Sequence, residues 1–139
     1  MRQLQERLSI DTPGQGFHEI TRLVQTVVKR SGIGEGLCTV FVQHTSCSLC
    51  IQENADPSAR RDMEHWLAKI APEHDPDYTH TSEGPDDMPS HLRAMVTKTG
   101  ETIPVRQNAL ALGTWQGLYL CEHRTRPHRR NVLIHVLGV

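Results

Sequence analysis

The chain has 139 residues, enough for one domain whose core stands without disulfides or a structural metal. A formal charge of -1 excludes a broad cationic face for nucleic acid or an anionic membrane. No apolar run approaches the roughly 18 residues of a membrane span, and the opening MRQLQERLSI lacks the apolar stretch of a signal peptide, so the expectation is a cytoplasmic protein with neither nucleic acid nor membrane as partner.

In chain order, residues 2 to 10 carry Leu4, Leu8 and Ile10 at even spacing, which predicts an edge strand. DTPGQG at 11 to 16 predicts a turn. Ile20, Leu23, Val24, Val27 and Val28 mark one face of a helix that the glycines of SGIGEG end. Two strands follow, LCTVFVQH at 37 to 44 and CSLCIQE at 47 to 53. Asp56 and Pro57 open a second helix, aspartate as its cap and proline in its first turn, with Ala59, Met63, Trp66, Leu67 and Ile70 as its apolar stripe. Residues 73 to 88 form a long polar loop of the kind that often carries function. Pro89 starts a short helix with Leu92, Met95 and Val96 on its buried side. Strands are predicted over about 101 to 106, 114 to 123 and 131 to 137, the last two apolar on both faces and so interior to a sheet. The order β-α-β-β-α-α-β-β-β predicts a single α+β domain over residues 1 to 139, with antiparallel strands and helices packed on one side of the sheet.

Three of the four cysteines, Cys38, Cys47, Cys50 and Cys121, lie inside apolar runs, which suits reduced, buried thiols. Cys47 and Cys50 make a C-x-x-C in a strand-like stretch, where alternation points the two sulfurs to opposite faces. A zinc or redox reading would want a second pair.

Nine histidines invite a site. Cys38, Val40, Val42 and His44 share one strand face; Cys47, Leu49, Ile51 and Glu53 share another; Trp115, Tyr119, Cys121 and His123 share a third. Each of His44, His91 and His123 stands at an element end with a carboxylate near in sequence: Glu53, Asp87 and Glu122 respectively. Taken singly, each is an ordinary hydrogen-bonded histidine. Taken together, three converging imidazoles would bind a divalent metal, zinc or magnesium, with an open position. Carboxylates would orient the rings. Without a metal, the same histidines would serve as general acid and base.

EHRTRPHRR at 122 to 130 gathers Arg124, Arg126, Arg129 and Arg130, which reads as a phosphate site or as a solvated turn. EGPDD at 83 to 87 reads as magnesium on a diphosphate or as a solvated acidic run. Trp115, in GTWQ, suits stacking on a planar ligand or core packing.

HTSCSLCIQENADP, EGPDDMPSHLRA and LGTWQGLYLCEHR, in this order and spacing, resemble the YjbQ-like family from about residue 5 to the C-terminus. The resemblance implies an α+β fold of sandwich-like antiparallel sheets assembled as a homotrimer. It also implies a weak thiamine-phosphate synthase activity, which joins a hydroxymethylpyrimidine diphosphate to a thiazole phosphate and releases pyrophosphate. Carried over by motif, His44, Glu53, His91 and His123 are the catalytic candidates. Thr45, Asn54, Asp56, Asp87, Trp115, Gln116, Glu122 and Arg124 are the substrate-binding ones. Departures are mild: Gln52 precedes Glu53 where relatives often have asparagine, and PSH replaces PAH before Leu92. Two further functions fit the same residues: a metal-dependent hydrolase or other small-molecule enzyme built on the histidines, and a non-catalytic trimeric binder of a phosphorylated metabolite. In each case the site is expected where strand ends meet, between subunits.

Overall fold

Alternation of apolar and polar side chains along short segments builds two antiparallel sheets. The computed structural model describes residues 1–139, in the order β1 (Arg2–Thr12), β2 (Gly16–Glu19), α1 (Thr21–Ser31), β3 (Glu35–Val42), β4 (Cys47–Glu53), α2 (Pro57–Ile70), α3 (Asp87–Val96), β5 (Gly100–Arg106), β6 (Ala109–Leu110), β7 (Gln116–Glu122) and β8 (His128–Gly138). The larger sheet runs β1-β8-β3-β5-β6 and the smaller β2-β7-β4. β7 and β8 are interior strands, as expected, but only β7 is buried on both faces; β8 alternates buried Val132, Ile134 and Val136 with more open positions. β1 is an edge, with Leu4, Leu8 and Ile10 half-buried on one face.

The sheets share one core. Val40, Ile134 and Val136 of the large sheet pack with Leu49, Leu118 and Leu120 of the small one, and α1 adds Val24, Val27 and Val28. Each such side chain contributes up to about 1.5–3 kcal/mol by leaving water. The opposite face of β7, Tyr119 and Cys121, packs with Phe17 of β2 and Leu67 of α2. Helices α1 and α2 therefore cover opposite faces of the small sheet, which corrects the expectation of helices on one side. The cause is a strand that is apolar at consecutive positions, so period-two geometry gives each face its own cover.

Two short strands escaped the sequence reading. β2 has one buried apolar residue, Phe17, opposite Cys121, too little for a periodic signal. β6 follows a hairpin turn at Gln107 and Asn108, both with positive φ (53° and 59°), in place of the asparagine-glycine pair that usually announces such a turn.

Helix α3 departs further. It starts at Asp87, and its buried residues are Asp87, Pro89, Ser90 and Arg93, whereas Met95 is 79% and Val96 57% exposed. Polar anchors outweigh the apolar stripe here: the Ser90 hydroxyl lies 2.6 Å from the Asp86 carbonyl and 2.9 Å from the His123 carbonyl. In α2 the expected stripe buries Leu67 but leaves Trp66 58% exposed. After α3 the chain passes from one sheet to the other. Lys98 bridges to Leu49 of β4, and the Thr99 carbonyl accepts from Val42 N at 2.9 Å. This crossing sets α3 beside the Cys47 end of the small sheet. Gly36 and Gly138 face each other in β3 and β8, where a Cβ on Gly36 would overlap the Leu137 carbonyl. No helix is long and apolar enough to cross a membrane.

Candidate functional site

Asp87 begins α3, and the helical repeat sets His91 on the same face one turn later. The polar loop before the helix brings in His80. Asp87 Oδ2 lies 2.6 Å from His80 Nε2 and 3.2 Å from His91 Nε2. The three ligand-capable atoms lie within 4.8 Å of one another. His91 Nδ1 sits 2.8 Å from the Thr45 carbonyl. A carbonyl only accepts, so Nδ1 carries a hydrogen, and Nε2 is the ring nitrogen turned toward Asp87. Two imidazoles and a carboxylate, one ring oriented by a backbone carbonyl, form a donor set that fits a divalent cation.

Arg124 holds this corner. Its Nη1 donates to Asp87 Oδ1 at 2.6 Å, its Nε to Asp86 Oδ2 at 3.0 Å, and its Nη2 to the Glu83 carbonyl at 3.0 Å. Burial pushes the Asp87 carboxyl up, but His80, His91 and Arg124 more than offset this and hold it below the usual carboxylate range. Asp86 is likewise pushed up by burial and brought below its ordinary value by the Thr125 amide and Arg124.

Behind the corner lies a buried ionic knot. Glu122, 1% exposed, is bonded to Arg130, whose Nε donates to Oε1 at 2.7 Å, and to the Thr12 hydroxyl at 2.6 Å. Burial pushes Glu122 up, yet Arg130, Thr12 and the Arg124 amide leave its carboxyl below the usual range. His123, 2% exposed, sits 2.8 Å from the Ser48 hydroxyl, and burial lowers its pKa to about 3, with Arg93 adding to the effect.

The three expected imidazoles do not form the cation cluster. His91 belongs to it with His80 and Asp87. His44 borders the same hollow as His91, but its Nε2 accepts from Asn131 N at 2.7 Å. Burial, then Arg130, lowers its pKa. His123 lies in the knot and lines a different hollow. The physical reason is that each strand-end ring found a partner on its own neighbouring strand. The remaining candidates divide by end of the small sheet. Thr45, Asp87, Glu122 and Arg124 lie near Cys47, which pairs with Glu122. Glu53, Asn54, Asp56, Trp115 and Gln116 lie at the other end, where Glu53 pairs with Gln116. Six strand steps separate the two ends, roughly 20 Å.

At that far end the polar groups serve the backbone. Glu53 Oε2 accepts from Asp56 N at 3.0 Å, Asp56 caps α2 by accepting from Ser58 N at 2.9 Å, and Gln116 Oε1 accepts from Gly113 N at 2.8 Å. Asn54 Nδ2 donates to Glu19 at 3.2 Å. Trp115 is exposed, so it is not a core residue. Three of the four arginines of the EHRTRPHRR run each face a carboxylate, Arg124 with Asp86 and Asp87, Arg129 with Asp11, and Arg130 with Glu122. That leaves little free charge for phosphate. Cys47 joins the main core while Cys50 meets Cys121 on the opposite face, as alternation requires, and all four thiols are free. Sequence reasoning missed His80, because an aperiodic loop gives no face to assign; the only signal was the loop's length.

A family model described as UPF0047 protein YjbQ-like matches residues 6–139. A UPF0047 protein of Synechocystis sp. is 53% identical over 137 residues, covering 99% of this chain and 93% of that one. UPF0047 protein YjbQ of Escherichia coli O157:H7 is 35% identical over 135 residues, covering 96% and 97%. Among solved structures, a conserved hypothetical protein from Thermus thermophilus superposes with a TM-score of 0.85 at 36% identity, covering 95% and 99%. A YjbQ-like protein of unknown function from Sulfolobus solfataricus reaches 0.87 at 23% identity, covering 99% of both chains, which bears on the fold alone. The α+β fold with antiparallel sheets and three helices is thus shared, and with a family model matched over nearly its whole length the chain belongs to the YjbQ-like UPF0047 family.

Proposed function

We propose that the protein is a small-molecule hydrolase that works with a divalent cation, zinc first, held by His80, Asp87 and His91. One observation carries this reading: a single Asp87 oxygen faces two imidazole nitrogens at 2.6 and 3.2 Å. Three protein ligands leave a fourth position open, as in catalytic zinc sites. When bound, the ion supplies Lewis-acid stabilisation of charge developing on a substrate oxygen. The chain's own groups do the rest. Arg124 fixes Asp87, and the Thr45 carbonyl fixes the His91 ring. His44, His91 and Thr45 border a hollow of about 510 Å³, room for a small metabolite. With its Nε2 engaged by Asn131, His44 keeps Nδ1–H as a hydrogen-bond donor toward a substrate oxygen.

The test is metal analysis of untagged protein together with turnover of a panel of small phosphate and carboxylate esters. The expected result is about one zinc per chain and hydrolysis that chelation removes and zinc restores. Substoichiometric metal with undiminished turnover would overturn the reading.

The transferase activity implied by the family resemblance is the second reading. It is favoured by the same cation site, since a divalent ion there would neutralise a leaving diphosphate. Both phosphorylated thiamine precursors, assayed beside a known synthase, test it: product above background supports it, and none removes it. A homotrimer belongs to the same proposal. Trp66, Ile70, Met95 and Val96 are exposed apolar groups on α2 and α3 that a partner subunit would cover. Neighbouring subunits would also offer a way to join the two ends of the small sheet. Sedimentation equilibrium decides it, three chain masses supporting the trimer and one overturning it.

A further inference from the structure

A second hollow, of about 200 Å³, lies where β2, α2 and α3 meet, and it shares no lining residue with the one beside His44. Arg93 reaches it from α3 and is 7% exposed. Its Nη2 donates to the Ala71 carbonyl at 3.0 Å, while its buried Nε–H has no partner. None of the chain's ion pairs includes it. A buried donor left unmet is costly, more so on a charged group, and native structures meet such donors with an ordered molecule or ion.

The surroundings define what fits. Glu122 is taken up by Arg130, and the Glu64 carboxylate accepts from Phe17 N at 2.8 Å. His123, buried as it is, stays neutral near pH 7. Arg93 is therefore the buried positive charge of the hollow, with Glu64 as a counter-charge in the wall. A single negative charge on a ligand meets Arg93, and Glu64 in the wall disfavours a second. Phe17, Leu67 and Ala68 supply apolar wall. The volume equals that of roughly seven water molecules, which suits a short aliphatic acid better than a nucleotide or a sugar phosphate.

We infer that this hollow binds a small organic carboxylate, drawn by the Arg93 guanidinium, with its apolar end against Phe17 and Leu67. The site is separate from the cation cluster and does not depend on the reaction proposed there.

The probe is sodium propionate, titrated at constant ionic strength after chelation, so that an empty cation site has no bearing on the outcome. Inorganic phosphate is titrated in parallel. Affinity is read by calorimetry, and the arginine Nε–H resonances by nitrogen-edited NMR. Propionate is expected to move one such resonance saturably, with a Kd of order 1 mM. Arg93→Lys keeps the charge but lacks Nε–H, so it should lose that resonance and weaken binding at least about tenfold. Ala68→Phe narrows the hollow from an exposed helix position and should weaken binding similarly, which keeps the test open if Arg93→Lys fails to fold. No saturable shift with propionate, binding undiminished in Ala68→Phe, or saturation by phosphate but not propionate would overturn the inference.

Discussion

At the Cys47 end of the small sheet, buried charged and titratable groups meet one another and draw in the exposed His80 and half-buried His91: Glu122 with Arg130, Asp87 with Arg124, His80 and His91, His123 with Ser48. At the Glu53 end the residue types are similar, but Asn54, Asp56, Trp115 and Gln116 are exposed and Glu53, Asp56 and Gln116 satisfy backbone amides. Both ends belong to the motifs that mark the family. Only one has the burial that shifts proton affinities and the convergence that can hold an ion. Within one chain, the far end reads as turn and cap architecture.

Substitutions can break this contrast. Glu122→Ala leaves Arg130 charged, buried and unpaired, and is expected to cost about 3–5 kcal/mol in urea unfolding. A loss near zero would mean that the knot is solvated and the two ends are alike. Acid should expose the same asymmetry. The unfolded His123 ring titrates near 6.5, whereas in the folded state burial lowers its pKa to about 3. The unfolded chain therefore takes the proton first, and stability falls as pH drops from about 6.5 toward 3, by up to about 1.4 kcal/mol per unit. The lowered carboxyls of Glu122, Asp86 and Asp87 act in the same direction at lower pH. Their stabilisation is present above the unfolded carboxylate pKa, about 4, and is lost as pH falls through the folded values. His123→Phe should flatten the upper part of the curve; an unchanged slope there would assign it to other groups.

Asp87→Asn sharpens the comparison from the metal side. It should lower zinc affinity at least about a hundredfold in a competition titration with a chromogenic chelator, while Asp56→Asn leaves affinity unchanged. The smallest effect belongs to the far end. Asp56→Ala removes an exposed helix cap and should lower the Tm by a few degrees. Asp56→Ser, which still caps, should restore most of that. A large loss of turnover in Asp56→Ala with intact folding would instead bring the far end into the site.

Much of the scaffold was legible. Even spacing marked β1, helical spacing marked α1, and the Asp56–Pro57 pair marked the start of α2. β7 and β8 read as interior strands from apolar runs on both faces. β2 and β6 were not legible, one carrying a single buried apolar residue and the other lacking the usual turn pair. Nor was the buried side of α3, whose partners are carbonyls and an arginine distant in sequence. Of the site, Asp87 and His91 were legible as a carboxylate and a histidine near a helix start, but their place on one helical face followed only from α3 beginning at Asp87, and His80 was not legible. His44 and His123, read as fellow ligands, found partners in Asn131 and Ser48.

By itself, then, the sequence determined six of the strands and the three helices, which family motifs they carry, and that titratable groups stand at strand ends. Local periodicity and capping are written into neighbouring residues, so they can be read there. Only the tertiary structure decided which of those groups meet. The pairing of β4 with β7, and the crossing at Lys98 that sets α3 beside it, bring His80, Asp87 and His91 onto one oxygen and turn Arg93 toward a hollow of its own. Contacts between residues far apart along the chain depend on register and sheet packing, which no single segment encodes.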